Sequence, residues 1–339
     1  MNIKKYEEKI IHWIDPLSKK KLKLEKNFLH TQNSKYLVTN DIPNFVTNLI
    51  NKKQKQVQKS FEEKWTKTTF AQDDDLFQKH IKPIYLQMMG LKQKDLKLFN
   101  DQLVLELGIG SGSSSRLWAS QASEFHGIDI SKSIFFVPKT LRNFDANMIL
   151  SQADLNHLPY ENEIFDIIVS NGVLHHTPNT KISIKNSLKK LKKNGLYIFY
   201  IYKKKSPLRE FTDDYVRDKI SIMSYSDAIK IMESFTEFGK SLSKQKILIN
   251  VPKNIELLGI KKGKYDLQRF IYYNFFKCFW NESWGFNYSN MVNFDWYHPK
   301  YCWRHSENEI KSWCNELNLR IKYIKDIESG YACMVQKIK

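Results

Sequence analysis

The stretch VLELGIGSGSSS, residues 104–115, decides the fold. An apolar run breaks into glycines at alternate positions, Gly108, Gly110 and Gly112, and then into small polar residues. This reads as a buried strand, a tight turn and the start of a helical segment, because glycine accepts positive φ and lets backbone approach a ligand with no Cβ in the way. The spacing is GxGxG rather than GxGxxG, since Ser113 stands where a dinucleotide fingerprint places its third glycine.

Outward from that turn, over residues 102–202, short apolar runs alternate with amphipathic segments, the pattern of a doubly wound parallel sheet with crossovers. The predicted strands are QLVLEL, EFHGIDI, NMILSQA, FDIIVS and GLYIFYIY, and helices are predicted over 113–121, 133–143 and 181–193. The later SENEIKSWCNELNL opens with a capping box of Ser306 and Glu309, and RIKYIKDI and YACMVQKI follow as two closing strands. The expected organisation is a small β-rich unit over 1–50, a linker and helices over 51–100, the α/β core over 101–203, a helical, aromatic-rich insertion over 204–305 placed as an acceptor lid, and a closing helix with two strands over 306–339.

Composition limits the function classes. The 339 residues are 42% hydrophobic and 14% aromatic, enough to build a core. No apolar run approaches the roughly 20 residues of a membrane helix, and the charged MNIKKYEEKII lacks the apolar region of a signal peptide. Cys278, Cys302, Cys314 and Cys333 are widely spaced and show no metal-binding pattern, so no metal site and a cytoplasmic setting are expected. The net charge of +18 invites a nucleic-acid reading, but only seven of the 54 basic residues are arginine, the side chain suited to bidentate phosphate recognition. Solvated lysine faces are the favoured explanation, and a nucleic-acid partner is not expected.

Acids mark three successive strand ends. Glu106, two residues before Gly108, can meet an ammonium group and would repel a pyrophosphate. Asp129, beside Ile130 and about 20 residues beyond the glycines, lies at the spacing where an acid meets ribose hydroxyls. Asp154 can accept from an adenine amino group while the Leu155 backbone pairs with the ring. After the fourth run come Ser170, Asn171, Gly172 and the adjacent His175 and His176. Either histidine offers a general base near neutral pH, and either can equally be a packing residue. The aromatic set Trp280, Trp284, Phe286, Tyr288, Phe294, Trp296, Tyr297, Tyr301 and Trp303 reads as a stacking surface or, preferably, as the insertion's own core. Arg209, Asp213, Asp214 and Arg217 read as a pocket wall or as a solvated helix face.

Taken together, ELGIGSG, GIDIS, ADLNHLPYENEIFDIIVSNGVLHHTPN and LKKLKKNGLYIFY resemble, in order and spacing, the motifs of class I S-adenosylmethionine-dependent methyltransferases with a type 11-like core. The resemblance implies a Rossmann-like seven-stranded sheet with an antiparallel last strand, and S-adenosylmethionine as cofactor. It implies that Glu106, Gly108, Gly110 and Gly112 border the methionine part, Asp129 with Ile130 the ribose, Asp154 with Leu155 the adenine, and Asn171 the sulfonium. Residues 14–46 resemble a zinc-ribbon-like segment without its cysteines, with Asp15-Pro16 where a Cys-Pro is expected. Further segments, FEEKW, SPLREFTDDYVRDKIS and NFDWYHPKYCWRHSENE, are similar to a bacterial group that includes proteins of surface-polysaccharide pathways. The expected reaction is methyl transfer to a hydroxyl or amino group of a small-molecule or saccharide acceptor. His176 and His298 lead the candidates for a base, followed by His175, Tyr297, Asp295 and His305. An RNA methyltransferase, a nicotinamide-dependent oxidoreductase and a non-catalytic cofactor-binding scaffold stand as alternatives. SNGV at 170–173, where amino-methylating nucleic-acid enzymes carry an NPPY-type tetrapeptide, weighs against the first of these.

Overall fold

The computed structural model describes residues 13–46, 50–67 and 74–338, and its N-terminal part is a four-stranded antiparallel sheet. The strands are β1 (Lys23–Glu25), β2 (Phe28–His30), β3 (Lys35–Thr39) and β4 (Ile42–Pro43). In β3 the alternation KYLVT turns Tyr36 and Val38 inward, as a half-buried strand requires. Asn40 and Asp41 form the two-residue turn to β4, both at positive φ, the backbone that asparagine and aspartate tolerate in hairpins. At Asp15-Pro16 the Asp15 carboxylate closes a turn: Oδ1 accepts from the Leu17 and Ser18 amides, and Oδ2 accepts from the Tyr36 hydroxyl. Among the described residues no group of three or more His, Cys, Asp and Glu could hold a metal ion. Residues 1–12 of the expected β-rich unit lie outside the described residues.

The five apolar runs become β5 (Leu103–Leu107), β6 (Glu124–Asp129), β7 (Met148–Gln152), β8 (Phe165–Asn171) and β9 (Leu191–Tyr202), paired in parallel in the order β9-β8-β5-β6-β7. Both faces are covered, so these strands read as nearly continuous apolar runs. The leading side chains Leu105, Leu107, Ile128, Ile168 and Phe199 are buried in one cluster, each contributing about 1.5–3 kcal/mol of burial energy. In the insertion, β10 (Leu248–Val251) and β11 (Gly263–Asp266) form a separate antiparallel hairpin. The chain then returns through the helix Glu307–Glu316, whose Ser306–Glu309 capping box is formed in both directions, into β12 (Leu319–Asp326) and β13 (Gly330–Lys337). β13 inserts antiparallel between β9 and β12, completing a seven-stranded, Rossmann-like sheet. At the opposite edge, Asn44 bridges to Gln152 and the Phe45 amide donates to the Gln152 carbonyl, which ties the N-terminal sheet to β7.

Two expected crossover helices are absent. Over 113–121 there is only a 3-10 turn, Ser114–Leu117, and over 133–143 a 3-10 turn, Lys132–Phe136, followed by the short helix Val137–Thr140. Serine competes with its own backbone for hydrogen bonds, and here Ser114 and Ser115 turn their hydroxyls onto Glu106 while Trp118 stacks on Phe99 at 5.0 Å. Over 181–193, the helix Thr180–Leu188 forms, and β9 starts at Leu191.

The chain divides into two compact units, one comprising Met1–Asn51, Trp65–Lys203 and Trp303–Lys339, the other Lys52–Lys64 and Lys204–Cys302. Residues 52–64, read from sequence as a linker or a solvated helix, lie in the helix Lys52–Lys67 and belong with the insertion. The second unit holds the helices Pro207–Ile220, Tyr225–Lys244, Leu267–Asn274 and Gly285–Tyr297 together with the β10–β11 hairpin, which the sequence did not announce. Trp280, Phe294, Trp296 and Tyr297 are buried in it, as a core reading of the aromatic cluster requires. Among the described residues no helix is long and apolar enough to cross a membrane.

Candidate active site

Strand order reverses between β5 and β8, and open α/β sheets bind ligands beyond the carboxyl ends of their strands at such a switch point. At that edge β8 ends on Asn171 and β6 on Asp129, and the loops that leave β5 and β7 carry the glycine turn and Asp154.

Gly108, Gly110 and Gly112 have φ of +68°, +58° and +85°, backbone that side chains disfavour. A Cβ on Gly108 would lie 2.4 Å from Val173 Cγ1, and one on Gly110 would lie 3.0 Å from Trp65 Cε2. The turn therefore runs against the β8 loop on one side and under an indole on another.

Glu106 is buried at the end of β5, its two oxygens accepting from Ser114 and Ser115. Burial pushes its pKa up to about 7, the two hydroxyls opposing and the Asp129 charge adding to the rise. A ligand ammonium beside it favours the carboxylate and reverses that cost. Asp129 is also buried, and burial raises its pKa. Its Oδ1 accepts from the Ser131 amide at 2.8 Å and hydroxyl at 2.7 Å, while Oδ2 accepts from Gly110 N at 2.9 Å. With one partner, Oδ2 keeps acceptor capacity for a hydroxyl. Ile130, at the end of β6, is half-buried, and its carbonyl accepts from Gln152 Nε2. Asp154 Oδ1 accepts from the Asn156 amide at 3.1 Å, Oδ2 stands 3.3 Å from His157 Nδ1, and Leu155 is buried alongside.

The fit to the expected cofactor rests on groups left without partners. The Asn171 amide and the hydroxyls of Ser111, Ser113 and Ser170 are buried and unpaired among the described residues. Buried polar atoms at a strand end without partners are what a polar ligand satisfies. Two buried carboxylates beside the glycine turn suit a cationic, ribose-bearing ligand and disfavour a pyrophosphate.

His175 and His176 lie on the 3-10 turn Leu174–His176 that follows β8. His175 is fully buried and stacks on Tyr202 at 3.7 Å, with His176 edge-on at 4.4 Å. Among the described residues neither His175 ring nitrogen has a hydrogen-bond partner, and burial, helped by His176 and His305, holds its pKa well below the usual imidazole range. The candidates of the second unit are engaged inside it. The Tyr297 hydroxyl donates to Asp213 at 2.7 Å and accepts from Lys277 N at 2.8 Å. His298 Nδ1 meets Ser60 Oγ at 2.8 Å and Nε2 faces the Met223 carbonyl at 3.3 Å, and Asp295 pairs with Lys64 at 2.9 Å. Tyr297 and His298 are thus tied into the packing of the second unit. His305, in the first unit, has Nε2 on Thr180 Oγ1 at 3.0 Å.

Trp65 and Met88 escaped the sequence reading, and Trp303 stood there only as one of the aromatic set. Trp65 covers Gly110, Met88 Cε lies 3.7 Å from the Cβ position of Gly172, and Trp303 N donates to the His175 carbonyl. Each comes from far along the chain, so no local spacing announces it.

Residues 105–199 match the family described as a methyltransferase domain. An uncharacterized methyltransferase, YcgJ, of Bacillus subtilis (strain 168) is 23% identical over 112 residues, which cover 32% of this chain and 44% of that protein. The chain thus spans less than half the length of that relative. Among solved structures, magnesium protoporphyrin IX methyltransferase from Synechocystis PCC 6803 aligns at 14% identity with a TM-score of 0.45, over 86% of this chain and 100% of that one. A putative S-adenosyl-L-methionine-dependent methyltransferase from Methanococcus maripaludis aligns at 14% identity with a TM-score of 0.42, over 87% and 98%. With the motif set, the sheet order and the match over 105–199 in agreement, this segment is a class I methyltransferase domain whose cofactor is S-adenosylmethionine.

Proposed function

We propose that the chain methylates a hydroxyl or amino group of a small-molecule or saccharide acceptor, with the His175–His176 turn supplying the base. Bound S-adenosylmethionine supplies an electrophilic methyl group on a sulfonium. The residues of the strand ends divide the remaining work. Glu106 and the glycine turn hold the amino-acid end, Asp129 the ribose, and Asp154 with Leu155 the adenine. Asn171 would lie on the sulfur side, where alignment of an acceptor with the methyl group is the main requirement.

The observation that carries this reading is His175, a buried imidazole with two unpartnered nitrogens, four residues beyond Asn171. Its low pKa keeps the ring neutral at physiological pH, with a lone pair free to accept the acceptor's proton as the new bond forms. His176 shares the turn and its ring contact with His175, and takes the same role if the acceptor enters on its side.

The test is release of S-adenosylhomocysteine across saccharides, small hydroxyl and amine compounds, and RNA. Turnover on a small acceptor, lost by about 100-fold or more in His175→Ala or His176→Ala while S-adenosylhomocysteine affinity is kept, supports the proposal. Turnover on RNA alone contradicts the acceptor class. Silence on every acceptor by a chain that binds the cofactor makes it a scaffold.

A further inference from the structure

The helix Pro207–Ile220 is inside out. Its buried side carries Arg209, Asp213 and Arg217, while Phe211 and Tyr215 on its outer side are 72% and 60% exposed, and Ile222 just beyond its end is 79% exposed. Charged groups normally occupy the solvent side of such a helix, and an exposed cluster of large apolar side chains marks a surface that meets something apolar.

The β10–β11 hairpin repeats the pattern. Its connecting loop holds Leu257, 91% exposed and the most exposed of the described large apolar side chains, with Ile255 and Leu258 also exposed; Leu248 on β10 is 67% exposed. Six lysines, Lys244, Lys246, Lys253, Lys261, Lys262 and Lys264, lie along the hairpin, its loop and the end of the preceding helix, and all are exposed. The one acid in the loop, Glu256, accepts from Asn254 Nδ2 at 3.0 Å. Gly259 in this loop lies beside Pro207, whose Cδ is 3.9 Å from where a Gly259 Cβ would stand, so loop and helix start are neighbours. The helix's own acids are occupied: Asp214 pairs with Arg217 and Asp218 with Lys300, each at 2.7 Å, and Glu210 accepts from the Lys205 amide.

We propose that this face of the second unit docks peripherally on an anionic lipid surface, the leucines and aromatics entering the interface and the lysine collar lying among the headgroups. Charge decides for lipid over a protein groove. Flexible lysine stems reach a diffuse negative plane while their heads stay hydrated, and isolated leucines at a loop tip match the shallow apolar boundary of a bilayer. No spanning helix is needed for such binding.

The experiment is co-sedimentation of the full chain with phosphatidylcholine vesicles and with vesicles containing phosphatidylglycerol. The expected result is binding to the anionic vesicles only, weakening as salt is raised. The double variant Leu257→Asp, Leu258→Asp should lose at least about tenfold in partitioning, with S-adenosylhomocysteine affinity and helical content unchanged. Lys253→Glu, Lys261→Glu and Lys262→Glu together should abolish the preference for anionic lipid. A chain that stays in the supernatant, that binds both vesicle types alike, or that is indifferent to both sets of substitutions overturns the proposal. Self-association lost in the leucine variant would assign the face to a second copy of this chain and overturn it as well.

Discussion

Gly110 holds a φ of +58° with the Trp65 indole 3.0 Å from where its Cβ would stand. Gly110→Ala therefore meets left-handed backbone strain of about 1–2 kcal/mol and an aromatic wall at once. Isothermal titration should show S-adenosylhomocysteine affinity reduced by about tenfold or more, and unchanged affinity would remove the turn from the site. Glu106 carries a pH signature. Its folded pKa, about 7, lies above the unfolded value near 4.5, so its contribution to stability is full below about pH 4.5 and is lost as pH rises through 7. The difference is on the order of 3 kcal/mol, and Asp129, also raised by burial, acts with the same sign. Thermal unfolding of the free protein from pH 4.5 to 7.5 should show this decline, shallower in Glu106→Gln and in protein saturated with S-adenosylhomocysteine. An identical slope in all three would exclude Glu106 from ammonium binding. Residues of this kind were legible because glycine at alternate positions and acids at strand ends are local signals. Trp65 was not, being 45 positions from the glycine that it covers.

At the scale of elements, the helix Pro207–Ile220 was visible from its sequence while its orientation was not. Spacing of three and four placed Arg209, Asp213 and Arg217 on one side, but only the fold shows that side facing inward. Asp213 there accepts from Arg209 Nε, Trp296 Nε1 and the Tyr297 hydroxyl, each at 2.7 Å. Asp213→Ala would strand a fully buried guanidinium, and urea unfolding followed by tryptophan fluorescence should report a loss of about 3–5 kcal/mol. A loss below about 1 kcal/mol would mean that water reaches Arg209. The missing crossover helices teach a related lesson. An apolar stripe over 113–121 is real, yet the serine hydroxyls are claimed by Glu106, so a side-chain contact overrides periodicity. The five parallel strands suffered no such competition. They lie in apolar runs covered on both faces, and their limits came out within about one residue, except that β9 starts four residues before the predicted run.

For the molecule as a whole, the order β12-β13-β9-β8-β5-β6-β7 contains the parallel strands that the alternation predicts and the antiparallel last strand that the resemblance implies, while the reversal between β5 and β8 comes from the fold. The division into units is less legible. Residues 52–64 look like a polar linker because lysine and glutamine dominate them, yet Gln54, Val57, Ser60 and Lys64 are buried. Burial of polar side chains against a sequence-distant partner, such as Ser60 on His298, leaves no periodic trace. A switch point between β5 and β8 built for S-adenosylmethionine is tested most directly by calorimetric titration of the full chain with S-adenosylhomocysteine and, in parallel, with NAD. The predicted result is one saturable S-adenosylhomocysteine site, weakened by about tenfold or more in Asp129→Ala, with no NAD binding. Tight NAD binding by a chain that ignores S-adenosylhomocysteine would contradict it.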